Sequence, residues 1–322
     1  MANIKDIQRR KRGIESTQKI TKAMEMVAAT KMKRAINAVV KTRRYAKLGW
    51  MTVSNIAKTF NGTEEVIHPF IVPVSEDFKN IEIILITSNR GLCGSFNFNI
   101  VNKMNQAILE YKQNSSQAIN VELNIIGKKG YIANKYYGYK IKREFPKEDL
   151  VTNFEDVLSV AWAVMDGFLN GKSDAVYIAY TDYKTSSRHF PRMKRILPMS
   201  DLERDRFLGE VDSSFDLNGE SKNIKDLNGN GFNEVEYLFE PSPKEVLADI
   251  LPRLIETQIY QAMLESNACE HSVRMATMHQ ATDAAGDMIE ELNLTYNKER
   301  QSSITNEISE ISAGVNALSD KA

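Results

Sequence analysis

Proline is missing from the first 68 residues and from the last 70, and all eight prolines lie between Pro69 and Pro252. Proline lacks an amide proton and clashes with the preceding helical turn, so its absence removes the main obstacle to very long helices at both ends. Cysteine is scarce as well. Cys93 and Cys269 are too few for a disulfide framework or a four-ligand zinc site, which, with no signal peptide evident, points to a reducing interior. No apolar run approaches the length that crosses a bilayer, which argues against direct membrane insertion. Net charge is also absent, since 42 Lys and Arg balance 42 Asp and Glu.

That balance hides an asymmetry between the ends. Residues 1–60 carry fifteen Lys and Arg against Asp6, Glu15 and Glu25, whereas residues 253–322 carry eleven acids against five bases. Two helices of opposite charge suit each other as partners. At the N-terminus, Ile7, Ile14, Thr21, Ala28 and Ala35 recur every seven residues beside Ile4, Lys11, Gln18, Glu25, Met32 and Val39. This is heptad spacing with a partly polar, small-residue seam. Near the C-terminus, Leu264, Met275, Met278, Ala285, Ile289, Leu292 and Tyr296 lead into Ile304, Ile308, Ile311, Val315 and Leu318. Ser242 followed by Pro243 reads as an N-cap with proline in the first turn, and Pro252 is expected to bend or break that helix. At 1.5 Å per residue the terminal stretches would span roughly 90 and 100 Å, as expected of a coiled coil or shaft.

Between them strand and helix patterns alternate. Strands are expected at Ile81–Thr87, Val121–Gly127, Tyr139–Phe145 and Asp174–Tyr183, and helices at Asn97–Lys112, Lys128–Tyr137 and Phe154–Leu169. Arg188–Leu197 reads as a strand able to pair with its predecessor as a hairpin. The alternation argues for a largely parallel sheet with helices on its faces. Residues 200–233 turn rich in Asp, Asn, Gly and Ser and read as a surface insertion, after which Val235–Pro241 resumes strand character. Three segments follow: 1–68, a long helix; 69–241, an α/β domain with the insertion; and 242–322, a second long helix.

The motifs offer little chemistry. Residues 87–97, TSNRGLCGSFN, sit where a dinucleotide-binding fold places its phosphate loop, but GxGxxG, a Walker lysine and an acid for a ribose are all lacking, so a structural turn is the plainer reading. Gly127-Lys-Lys-Gly130 reads as a turn before a helix. Asp226, Asn228, Asn230 and Gly231 begin like a calcium loop, but Tyr237 stands where the final Glu belongs. His271 and His279 are two turns apart on one helix and cannot share a metal. Cys93 has no evident histidine partner and reads as a small buried residue. No catalytic residue, cofactor or metal is expected. The basic N-terminal stretch, with Arg9–Arg12 and Lys41–Lys47, would suit a nucleic-acid binder, but sparse aromatics and an acidic C-terminal helix count against it. A nucleotide-dependent enzyme and a coiled-coil nucleic-acid binder are the competing classes.

The opening IQRRKRGIESTQKITKAMEMVAATKMKRA closely resembles the N-terminus of the γ subunits of F-type ATP synthases, and residues 250–311 resemble that family's C-terminal helix. SNRGLCGSFN and YLFEPSP are similar to it too. The resemblance implies a non-catalytic rotor shaft: the terminal helices wind into an antiparallel coiled coil inside a hexamer of α and β subunits, beside a central Rossmann-like domain, while the chemistry belongs to the β subunits. By position, Lys22, Met24 and Glu25 match the N-helix contact with β, and Arg300, Gln301 and Thr305 match a polar catch on the C-helix. Lys33, Arg34 and Tyr237 resemble the base that meets the ε subunit and the membrane c-ring. Ile304, Ile308, Ile311, Val315 and Leu318 would form an apolar bearing tip. No nucleic-acid partner is implied. Photosynthetic relatives carry a cysteine pair in a regulatory loop where the insertion falls; this chain has none there. Because the signature starts at the N-terminus without a transit peptide, a peripheral position on the cytoplasmic face of a bacterial inner membrane is expected.

Overall fold

Isoleucine, valine and leucine crowd the strands while their neighbours alternate between two faces, and this period of two decides which helices each face receives. The computed structural model describes residues 4–59, 68–71, 78–115, 118–148, 153–185, 188–199, 240 and 242–319, with side chains described except at 44–59, 243–244 and 314–319. In chain order the elements are α1 (Ile4–Thr59), β1 (Asn80–Ile86), α2 (Phe96–Asn114), β2 (Asn120–Ile126), a 3-10 turn (Lys128–Gly130), α3 (Tyr131–Tyr137), β3 (Lys140–Phe145), α4 (Phe154–Leu169), β4 (Ala175–Tyr183), β5 (His189–Leu197) and α5 (Pro243–Ser319). The insertion at 200–233 and the expected strand at 235–241 lie outside the described residues, apart from Glu240.

The chain divides into two units, one of Met1–Ala29 with Arg274–Ala322, the other of Thr30–Val273. In the second, the sheet runs in the order β3-β2-β1-β4-β5. β1 pairs in parallel with β2 and β4, β2 in parallel with β3, and β5 antiparallel to β4 as the expected hairpin. Ile81, Ile83 and Leu85 of β1 pack with α2 and with Ala133 of α3, whereas Ile84 and Ile86 pack with α4 and the first turns of α5. A buried aliphatic side chain contributes roughly 1.5–3 kcal/mol, so these two layers dominate the stability of the unit. A third cluster joins Ala35 and Val39 of α1 to Cys93, Phe96, Tyr183, Leu264, Ala268 and Cys269.

Local signals set the ends of the helices. Asn153 and Asp156 form a reciprocal capping box that starts α4. Ser242 Oγ accepts the Glu245 amide at 3.3 Å, which starts α5 at Pro243. Of the two outcomes expected at Pro252, a break does not occur: α5 continues through it. An interior proline costs about 3 kcal/mol, and the buried Leu247, Leu251, Leu254 and Ile255 around it supply enough packing to hold the helix together.

The first unit contains the N-terminal part of α1 and the distal part of α5. Gln18 Nε2 donates to the Thr282 carbonyl at 3.4 Å, Thr282 Oγ1 lies 2.9 Å from Thr21 Oγ1, and His279 Nδ1 lies 3.4 Å from Glu25 Oε1. Residue numbers rise on one helix as they fall on the other, so the pair is antiparallel. Ile7 and Ala28 are buried on the seam, as are Met278 and Ala285 opposite, and this follows the heptad ladders.

Candidate functional site

The loop after β1 occupies the position of a phosphate loop, but its own side chains fill it. Asn97 Oδ1 accepts the Ser88 amide at 2.9 Å, Asn97 Nδ2 donates to Ser88 Oγ at 2.8 Å, and Ser88 Oγ donates to the Arg90 carbonyl at 2.7 Å. Cys93 is buried beside them, 3.3 Å from Asn97 Nδ2, as a small packed residue. The turn at 127–130 closes on the same loop: Lys129 donates its amide to the Ser88 carbonyl, and Gly127 has φ +96. A Cβ there would meet the Thr87 oxygen at 2.5 Å, so glycine allows the two loops to touch. These bonds tie the loop after β1 to the turn at 127–130. Among the described residues no group of His, Cys, Asp or Glu could hold a metal ion.

The residues singled out by resemblance lie on the long helices. On α1, Lys22 and Glu25 are ion-paired at 3.0 Å and Met24 is half-buried. Gly286, on the facing helix, leaves room for Gln18, whose Nε2 is 3.3 Å from where a Cβ would stand. On α5, Arg300, Gln301 and Thr305 are exposed, with Thr305 Oγ1 bonded back to the Gln301 carbonyl at 2.9 Å. Ile304, Ile308 and Ile311 are 48, 61 and 64% exposed. The contacts of Gln18, Thr21 and Glu25 with Thr282 and His279 put Ile4 opposite about residue 300, so α5 continues past the first described turn of α1 and these isoleucines have no companion among the described residues. Val315 and Leu318 belong to α5, although their side chains lie outside the described ones. Lys33 and Arg34 are exposed on α1; Tyr237 lies outside the described residues.

Sequence reasoning missed a set of buried charges in the second unit. Residues 262–272 of α5 are buried all round, although they include Glu265, Asn267, Glu270 and His271. Glu265 Oε1 accepts Arg43 Nη2 at 2.8 Å and Gln261 Nε2 at 2.8 Å, Arg43 also donates to the Tyr183 carbonyl at 3.0 Å, and Asp182 pairs with Arg192 at 3.0 Å. Burial pushes the Glu265 carboxyl up to about 7, with Arg43 pulling against that shift. Glu270 pairs with Lys147 at 2.7 Å, and Lys147 also donates to the Thr87 carbonyl at 2.8 Å. Beneath α4, Glu82 bonds Lys142 and Asn124, and Gly167 leaves it space. The only sequence signal was an acid inside an apolar stretch, as in Glu82 of IEIILIT; which base answers it depends on the tertiary fold.

Comparison with known proteins bears on this arrangement of helices and sheet. A family model described as ATP synthase matches residues 3–318. The ATP synthase gamma chain of Histophilus somni (strain 2336) is 35% identical over 318 residues, 99% of this chain and 100% of that one. Among solved structures, a chain of the Euglena gracilis mitochondrial ATP synthase OSCP/F1/c-ring, rotational state 3, aligns with TM-score 0.60 at 18% identity, covering 98% of this chain and 94% of the other. A chain of the central stalk/c-ring of the Tetrahymena thermophila mitochondrial ATP synthase aligns with TM-score 0.54 at 23% identity over 81% of this chain and 99% of that one.

Proposed function

The chain belongs to the ATP synthase gamma-chain family, and we propose on that premise that it is the central rotor shaft that couples ion-driven turning of a membrane ring to ATP synthesis or hydrolysis. In this reading it is non-catalytic, and the nucleotide chemistry takes place on β subunits arranged with α subunits around the shaft. Its partners are the α and β subunits, the ε subunit and the c-ring. No helix among the described residues is long and apolar enough to cross a membrane, so the chain would be held at the cytoplasmic face of the membrane through these partners. Lys22, Met24 and Glu25, and on the other helix Arg300, Gln301 and Thr305, would meet β. Lys33, Arg34 and Tyr237 would form the base against ring and ε, and Ile304 to Leu318 the bearing tip.

One observation carries most of this reading: a helix continuing past its partner with Ile304, Ile308 and Ile311 in the open. Large apolar side chains grouped on an exposed helix mark a surface meant for a partner, and a sleeve of apolar side chains would hold them while making no bond that resists turning. The test is to assemble the chain with α and β subunits after changing Ile304, Ile308 and Ile311 to Asp. Assembly or ATP-driven torque should fall while the sheet remains folded. Full assembly and full torque would sink the bearing assignment.

A further inference from the structure

Helix α4 is apolar on two sides. Val157, Val160, Ala161, Val164, Met165 and Phe168 are buried and pack with Ile84, Val176 and Ile178 of the sheet. The opposite side carries Glu155, Ser159, Trp162, Asp166 and Leu169, whose alternating spacings of four and three place them along one stripe of the helix. Trp162 is 64% and Leu169 55% exposed. Tryptophan is highly buried on average, and a helix that is apolar on both sides is ordinarily covered on both. Phe154, at the start of the helix, differs, because its ring meets Tyr260 of α5 edge-on at 5.5 Å. The charge along the stripe has one sign. Glu155 and Asp166 are exposed on it, and no Lys or Arg occurs anywhere in Phe154–Leu169. Asp166 Oδ1 accepts Asn170 Nδ2 at 2.9 Å, whereas Asp156, off the stripe, is engaged in the cap at Asn153.

We propose that this stripe is a docking surface for a basic amphipathic helix of a partner protein, whose apolar side chains cover Trp162 and Leu169 while its Lys or Arg side chains meet Glu155 and Asp166. Trp162 and Leu169 stand two turns apart, about 10 Å along the axis, a repeat that a second helix laid alongside matches with its own heptad. Charge then selects among occupants. The chain's own insertion at 200–233 carries eight acids against four bases, so it matches the stripe poorly. A second copy docked through the same helix would set acid against acid, and an anionic lipid surface would be repelled in the same way. A basic helix gains from both parts of the stripe: the apolar pair at the centre supplies most of the affinity, and the carboxylates beside it fix orientation and turn away acidic partners.

The test uses the full-length chain and, as probe, a fluorescent synthetic peptide of three leucine–lysine heptads with leucine at the a and d positions. Anisotropy should report saturable binding. The fluorescence of Trp162, isolated from the chain's other tryptophan by Trp50→Phe, should become shielded from acrylamide as the peptide saturates. Trp162→Gln and Leu169→Gln should each weaken binding about tenfold or more, as anchors at the centre of a contact do. Leu109→Gln, which removes a leucine 48% exposed on α2, should change nothing. Glu155→Lys combined with Asp166→Lys should weaken binding about three- to tenfold at low salt and less at high salt. A peptide with glutamate in place of lysine should bind at least about tenfold more weakly. Thermal unfolding verifies that each variant keeps the native fold, and the shielding of Trp162 is read without any change on the stripe. Absence of saturable binding, native affinity after Trp162→Gln, an equal loss with Leu109→Gln, or equal binding of the glutamate peptide would each overturn the docking surface. So would shielding of Trp162 in the chain by itself, which its insertion or a second copy would give, or by phosphatidylglycerol vesicles instead of the peptide.

Discussion

Lys147 and Glu270 allow the sharpest energetic test, because both side chains are almost wholly buried, at 2 and 4% exposure, and 2.7 Å apart. The pair ties the segment after β3 to α5, and through the Thr87 carbonyl at 2.8 Å it also holds the end of β1. Changing Glu270 to Gln leaves an ammonium inside the protein without this counter-charge, and changing Lys147 to Met leaves a carboxylate there. Removing one partner of a buried pair costs about 3–5 kcal/mol. The double variant removes both charges, and its main remaining loss is the donor to Thr87, about 1–3 kcal/mol. It should therefore be more stable than either single variant, with a coupling energy of at least about 3 kcal/mol. Amide-exchange mass spectrometry of the β1 peptide across a urea series would measure all four proteins. Single variants costing under about 1 kcal/mol, as exposed pairs do, or a double variant equal to their sum, would refute the claim that this is a desolvated pair joining three elements.

Further expectations concern backbone, titration and surface. Gly127→Ala should destabilise by at least about 2 kcal/mol in thermal unfolding, because φ is +96 and the new Cβ would meet the Thr87 oxygen, whereas Gly171→Ala, at φ +66 with open space, should cost about 1 kcal/mol. Burial raises Glu265 from 4.5 to about 7, so the folded chain holds more protons than the unfolded one and stability falls as pH rises between those values. Burial lowers Lys194 from 10.5 to about 8, so stability rises with pH from about 8 to 10.5. Each contributes up to about 3 kcal/mol, which places a minimum between pH 7 and 8 in denaturant titrations; Glu265→Gln should remove the acid limb and Lys194→Met the alkaline one. Reversing Lys33 and Arg34 together should lower ion pumping in the assembled enzyme while ATP hydrolysis by the detached head persists, and equal loss of both would refute their assignment to the base. Deleting residues 303–322 should leave the melting of the α/β unit unchanged and weaken coupling; an unfolded sheet would show the tip to be core.

Much of the fold was legible because its determinants are local. Phe154–Leu169 was readable end to end from its helical pattern, and Ser242 with Pro243 fixed the start of α5. The heptad ladder named Ile7, Ala28 and Ala35, all of which are buried. At Pro252 the helix is not broken, because the local penalty is outweighed by Leu247, Leu251, Leu254 and Ile255, whose burial depends on the sheet. The Arg43–Glu265 and Lys147–Glu270 pairs were invisible for a related reason: their partners meet across separations of 222 and 123 residues. An acid within an apolar helical stretch signals that a partner is required without saying which base supplies it. The lack of a GxGxxG or Walker lysine after β1 was readable in the sequence, whereas the bonding of Ser88, Asn97 and Cys93 to one another needed coordinates.

The most direct measurement attaches a visible probe to the exposed Lys135 of this chain, assembles it with immobilised α and β subunits, and supplies ATP. The rotor account predicts sustained turning of the probe in one direction at a rate that follows ATP hydrolysis, while the chain alone hydrolyses none. A probe that stays still on a head that is hydrolysing ATP would contradict it.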